Sequence, residues 1–220
     1  MNFFRFWGIV LMSLLVMACE HSKKGHSTHA QHRFDDAEAW AAHFEDPDRD
    51  AWQKPDEVIS KLALGDGALV GDLGSATGYF SVRLARALPN GIVYGVDIES
   101  SMVDYLRGRA INLGLGNVRS ILASPDDAKL PEPVDLVLIV NTYHHIQNRA
   151  DYFRRLLPSL KPGGRIAIID FRIESTLGPP EEIKLAPQTV VDEFKGVGFI
   201  VKETFDFLPE QYFLIFSREG

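Results

Sequence analysis

The stretch GDLGSATGYF, residues 71 to 80, decides how the rest of the chain is read. It follows an apolar run and opens a helical pattern, the form of a loop that joins a buried strand to a helix. Gly74 and Gly78 let such a loop turn sharply and let a ligand approach the backbone, with the free amides of the next helix nearby. The phosphate-gripping pattern GxxxxGK[ST] does not occur, and the order Gly71, Gly74, Gly78 differs from the GxGxxG dinucleotide fingerprint.

Outward from this loop the chain alternates strand and helix. Strands are expected at 67 to 73, 91 to 97, 118 to 123, 134 to 140, 165 to 171, 198 to 206 and 211 to 217, with helices at about 78 to 88, 100 to 113, 149 to 160 and 187 to 196. Short apolar runs such as VDLVLIV and RIAIID suit strands buried on both faces, and the helices between them serve as crossovers. The pattern predicts an α/β fold with a doubly wound, mostly parallel seven-stranded sheet. LPEQ is too short for a crossover, so the last strand must be antiparallel. An acid ending the second strand, Asp97 in VYGVDI, can accept hydrogen bonds from the ribose hydroxyls of an adenosine.

With four motifs in order, VGDLGSATGYF, VYGVDIESSM, VDLVLIVNTYHHI and LKPGGRIAIID, the chain from about Pro55 to Arg218 resembles the class I S-adenosylmethionine-dependent methyltransferases. The ending FIVKETFDFLPEQYFLIFSR resembles that family's sixth strand and antiparallel seventh. The resemblance implies S-adenosylmethionine as cofactor and a small-molecule acceptor. It places Asp72 and Gly74 at the methionine end, Gly78 at the close start of the first helix, Asp97 on the ribose, and Ile98 and Met102 beside the adenine. The sequence departs from the family at two points. Ala76 stands where the usual DLGCGTG loop has a glycine, and Ser124 in ILASPDD stands where an acid usually meets the adenine. Restoring glycine at 76 is expected to cost roughly 0.5 to 1 kcal/mol in backbone entropy.

Methyl transfer asks the protein mainly for orientation and exclusion of water. A hydroxyl or amine acceptor gains from a base, and neutral histidine suits that task near pH 7. Asn141, Tyr143, His144 and His145 follow the fourth strand, at the sheet edge where acceptor and cofactor meet. His144, His145 and Tyr143 are therefore the candidate catalytic residues, and Asn141 joins the cofactor set. The packing alternative has one histidine capping the next helix and the other packed beneath it. Arg49 and Trp52, in DPDRDAWQKP, either grip a substrate or pin the N-terminal helices to the domain.

The 220 residues are 45% hydrophobic and 24% charged, ordinary globular composition, and a formal charge of -7 argues against nucleic acid as partner. Residues 1 to 18 carry Arg5, an apolar run and Ala18, the layout of a secretion signal. Val16-Met17-Ala18-Cys19 resembles a bacterial lipobox, which implies a lipid anchor on Cys19. Glu20, in place of Asp, then points to the periplasmic side of the outer membrane. The competing reading is an incidental cysteine beside an uncleaved anchor. Residues 19 to 33 form a polar linker with His21, His26, His29 and His32, whose spacings define no metal site. Residues 34 to 64 read as a helical cap, and 65 to 220 as the methyltransferase-like domain. The alternative function is a non-catalytic binding or envelope interaction module on the same fold, since fold does not settle activity.

Overall fold

Each strand's apolar run is buried on two faces at once. In the computed structural model, which describes residues 36–218, the strand Val134–Val140 sends Leu136 and Leu138 to one helical layer, and Val137 and Ile139 to the other. That double burial explains its unbroken VDLVLIV pattern, since a half-exposed strand would alternate. Val134 and residues 136 to 139 are all fully buried. The signal, Cys19 and the histidine-containing linker lie outside the described residues.

The chain begins with three short helices, α1 (Ala37–Phe44), α2 (Arg49–Gln53) and α3 (Pro55–Lys61). The alternating core follows as β1 (Leu69–Leu73), α4 (Tyr79–Ala87), β2 (Ile92–Asp97), α5 (Ser100–Asn112), β3 (Val118–Leu122), β4 (Val134–Val140), α6 (Arg149–Leu156), β5 (Leu160–Phe171), α7 (Pro187–Lys195), β6 (Phe199–Phe205) and β7 (Gln211–Arg218). Pro55 and Pro187 occupy the first turns of α3 and α7, where a missing amide costs nothing. The sheet order is β3-β2-β1-β4-β5-β7-β6, with β7 antiparallel to both neighbours. Strand order reverses between β1 and β4, opening a crevice at their carboxyl ends. One core layer holds Val58, Leu62, Phe80, Leu84 and Leu106 against the sheet; the other holds Tyr152, Phe153, Leu156, Phe194 and Phe199.

Two local expectations need correction. The helix expected at 149 to 160 ends at Leu156, because Pro158 has no amide to continue it and the chain tightens into a 3-10 turn at Leu157–Ser159. The strand expected from 165 begins at Leu160, which pairs with Val134 before a register shift carries the Pro-Gly-Gly segment past the sheet. Within the helical cap, the DPDRDAWQKP segment contains α2. Lys54, at φ 44°, ends α2 in a left-handed turn and leads directly into α3.

Candidate active site

The loop after β1 is held to the end of β2. The Gly74 and Ser75 amides both donate to the Val96 carbonyl, at 2.8 and 3.1 Å. Gly74 has φ 71°, and a Cβ there would fall 2.2 Å from Thr142 Oγ1, so glycine is required where the β1 and β4 exits touch. At Gly78, φ 92°, an added Cβ would meet Leu106 at 2.3 Å, which explains how α4 starts so close to α5. Ala76 also lies in the left-handed region, at φ 46°. A glycine there would relieve strain, which reverses the expected entropic penalty: left-handed geometry costs an L-residue roughly 1 to 2 kcal/mol.

Asp97 is the hub of this loop. Its Oδ2 accepts the Ala76 amide at 2.9 Å and its Oδ1 the Glu99 amide at 3.0 Å. Burial raises its pKa, and those amides work in the opposite direction. An ionised carboxylate has about four acceptor positions, so each oxygen retains capacity for a ribose hydroxyl. Ile98, next to it, is 48% exposed and offers an apolar surface. This donor and acceptor set fits an adenosine. Asp72 is buried and accepts the Ser81 hydroxyl at 2.6 Å; burial pushes its carboxyl up to about 6 against that hydrogen bond. Met102 is fully buried, whereas Ser124 turns to Asp126, its hydroxyl 3.0 Å from Oδ1.

The exit of β4 is tied to β5, β7 and the cap. Asn141, at φ 55°, donates its amide to the Ile169 carbonyl at 2.9 Å. Its side-chain oxygen accepts from Gln211, and Gln53 donates to Gln211. Gln53 and Gln211 are wholly buried, so this amide chain joins α2 to the sheet edge without a charge.

Tyr143, His144 and His145 form a 3-10 turn, and the three side chains part company. Tyr143 is wholly buried against Phe153 and Phe194, and its hydroxyl donates to Glu193 Oε2 at 2.5 Å. Arg149 grips both oxygens of that Glu193 at 2.7 Å. Burial raises the Tyr143 pKa well above the ordinary tyrosine range. This geometry makes Tyr143 a core residue that joins α7 to the 3-10 turn. His144 turns inward, with Nδ1 2.9 Å from both oxygens of Asp170 and side chains 3% and 4% exposed. His145 is exposed and lies against the His144 ring, centroids 4.2 Å apart. Asp170 is the penultimate residue of β5 and also accepts its neighbour Phe171's amide at 2.9 Å. Sequence reasoning passed over Asp170, although an acid closing the buried run RIAIID carried the same signal as Asp97.

The cap is fastened to the loop by charge. Glu45 accepts the Thr77 hydroxyl at 2.7 Å and is held by both terminal nitrogens of Arg109. Asp50 binds Arg83 at 2.9 Å and accepts the Tyr79 hydroxyl. Arg49 lies over the Tyr79 ring at 3.8 Å, and Trp52 packs near Phe171. Both cap residues therefore help pin the N-terminal helices to the domain.

A seven-stranded sheet with an antiparallel seventh strand, a glycine loop after β1 and an acid closing β2 defines the class of S-adenosylmethionine-dependent methyltransferases. The chain belongs to the methyltransferase-domain family, whose model matches residues 64–206. Over 125 residues it is 32% identical to the ubiquinone/menaquinone biosynthesis C-methyltransferase UbiE of Pseudomonas savastanoi pv. phaseolicola, covering 54% of this chain and 47% of that protein. The corresponding protein of Ectopseudomonas mendocina is 34% identical over a span of the same length. The chain thus spans about half the length of these curated relatives. A crystal structure of a SAM-dependent methyltransferase from Aquifex aeolicus superposes with a TM-score of 0.76 at 25% identity, covering 82% of this chain and 97% of that one. A methyltransferase from Thiobacillus denitrificans, solved in complex with S-adenosyl-L-homocysteine, shares the fold at 19% identity and a TM-score of 0.59, over 76% of this chain and 91% of that one.

Proposed function

We propose that this protein transfers a methyl group from S-adenosylmethionine to a small acceptor bearing an ionisable hydroxyl, amine or activated carbon, with His144 as the base. The observation that carries the reading is the buried His144–Asp170 pair at the carboxyl ends of β4 and β5. When bound, the cofactor supplies a methyl on a positively charged sulfur. Asp97 would hold the ribose at its nucleoside end, with Ile98 beside it, and the backbone at Gly74 would leave room for its methionine end. Asp170 accepts the Nδ1 proton of His144, which fixes the tautomer and leaves Nε2 as the atom able to take a proton from the acceptor. The α2 helix and its amide chain to Gln211 and Asn141 shield this edge from water. His145, exposed next to His144, lines the acceptor's approach.

Such a pair favours the enzyme over the non-catalytic module, because a scaffold has no use for an oriented imidazole at the sheet's ligand-binding edge. The lipobox-like Val16-Met17-Ala18-Cys19 supports a second part of the reading, that the protein is exported and anchored through Cys19 on the periplasmic side of the outer membrane. Replacing His144 by Gln tests the first part. Turnover should fall by roughly two to four orders of magnitude, while S-adenosylhomocysteine binding stays near that of the parent. Unchanged turnover removes the base and leaves a packing role. For the anchor, a Cys19→Ala chain that still incorporates labelled lipid refutes the assignment.

A further inference from the structure

Tyr212, near the start of β7, carries a buried hydroxyl that bonds to no other group among the described residues. The residue is 2% exposed, so bulk solvent does not take the partner's place. An unmet hydroxyl in such surroundings costs stability, and phenylalanine would fill the same space without it. The antiparallel register sets Tyr212 directly opposite Asp170 of β5, which sends both side chains from the same face of the sheet. On that face Tyr212 packs in the layer of Tyr143, Phe153 and Phe194.

Two carboxylates border this layer, and they are satisfied differently. Glu193 receives the Tyr143 hydroxyl and two nitrogens of Arg149, whose charge also balances its own. Asp170 receives His144 Nδ1, the His144 amide at 3.3 Å and the Phe171 amide at 2.9 Å. Those three donors leave open one of the about four acceptor positions of a carboxylate. Among the described residues no arginine or lysine pairs with Asp170; its ion-pair partner is the imidazole of His144. The carboxylate short of a cation thus stands across from the hydroxyl short of an acceptor. Burial, and after it the Asp170 charge, raises the Tyr212 pKa above the ordinary tyrosine range, which keeps the phenol protonated and able to donate.

We propose that Tyr212 is a positioning residue that acts through Asp170, its hydroxyl closing on the carboxylate as the site fills and holding it against His144. This rests on the reading of His144 as the base. Hydrogen bonds among catalytic groups tighten when a site is occupied, and a donor carried on a strand beside Asp170 is placed for that step. Held by the Phe171 amide and by the phenol, the carboxylate cannot swing away as the imidazole gains a proton, so Nε2 stays aimed at the acceptor. A buried oxygen kept at the fold's expense is the pattern of a site residue, where stability is given up for activity.

Nuclear magnetic resonance of the full chain, with isotope-labelled histidine and saturating S-adenosylhomocysteine, tests this without an acceptor; His144→Gln identifies the signal. In the parent, His144 should carry its proton on Nδ1 and exchange it slowly with water. In Tyr212→Phe that exchange should be faster by roughly tenfold to a hundredfold, the equivalent of one hydrogen bond to a charged group. The same variant should melt at the parent's temperature or roughly 2 to 4 °C above it, because the unmet hydroxyl is gone. Unchanged exchange in Tyr212→Phe overturns the proposal and leaves the hydroxyl a passenger. Faster exchange with a lower melting temperature overturns it as well, since the hydroxyl then serves the fold as a whole. A parent whose His144 carries its proton on Nε2 overturns the base reading itself, and the Tyr212 assignment with it.

Discussion

The Ala76 amide donates to Asp97 Oδ2 at 2.9 Å from a backbone held at φ 46°. The contact that fastens the loop to β2 is thus made from a conformation that alanine resists. Replacing Ala76 by Gly removes roughly 1 to 2 kcal/mol of strain against an entropy loss of roughly 0.4 to 1 kcal/mol. The variant should be more stable by about 0.5 kcal/mol, a rise in melting temperature of roughly 1 to 2 °C at this size. Scanning calorimetry reads it, and a lower melting temperature contradicts the strain.

Asp97 is expected to dominate cofactor affinity. S-adenosylhomocysteine at about a hundred times its dissociation constant should stabilise the parent by roughly 2.7 kcal/mol, or 5 to 10 °C. At the same ligand concentration Asp97→Ala should retain less than roughly 1 kcal/mol of that stabilisation. A full shift in the variant means that the ribose is held elsewhere.

The Asp72 carboxyl titrates at about 6 in the fold against an ordinary 3.8. The folded state therefore binds this proton more tightly than the unfolded chain. The resulting stability is complete below about pH 3.8 and has been lost above about pH 6. Asp72→Asn keeps the acceptor for Ser81 and lacks the titration. The variant's stability relative to the parent should therefore rise between pH 4 and 7 by an amount approaching 3 kcal/mol. Urea unfolding at the two pH values measures it; parallel behaviour of the two proteins rules the shift out.

Asp170 acts through His144, and its replacement separates orientation from packing. Asp170→Asn should lower turnover by roughly two orders of magnitude or more and move the acidic limb of the pH profile, where the base is lost to protonation, because an amide no longer selects the Nδ1-protonated ring. Cofactor affinity should change by less than about threefold. A turnover loss with an unmoved pH profile points to simple disruption of the sheet edge.

Tyr143 provides the contrast. Its hydroxyl faces Glu193 and the core, so Tyr143→Phe should cost roughly 1 to 2 kcal/mol of stability and leave turnover within about twofold. A large drop in turnover with stability unchanged would restore it to the catalytic set.

Much of this was legible in the residues. VDLVLIV and RIAIID are strands because continuous apolar runs suit a sheet covered on both faces, and LPEQ is short enough to force β7 antiparallel. Gly74 and Gly78 do take positive φ. Boundaries were less legible where one backbone device overrides the pattern, as Pro158 does at the end of α6. The residues flanking the site were harder still. Tyr143, His144 and His145 are consecutive, yet one enters the core, one meets Asp170 and one faces solvent, because a 3-10 turn sends adjacent side chains about a third of a turn apart.

Sequence by itself determined the elements, their order and the glycine and acid positions of the cofactor loop, since these follow from local periodicity and backbone sterics. Tertiary structure decided the partnerships. His144 meets Asp170 because β4 lies beside β5, and Gln53 reaches Gln211 across 158 positions because α2 folds over the sheet edge where β7 begins. Arg83 and Arg109, on α4 and α5, hold Asp50 and Glu45 of the N-terminal helices, positions 33 and 64 residues away in the chain. No periodicity encodes such choices, because they depend on which strands are neighbours and which side chains arrive first at a shared partner.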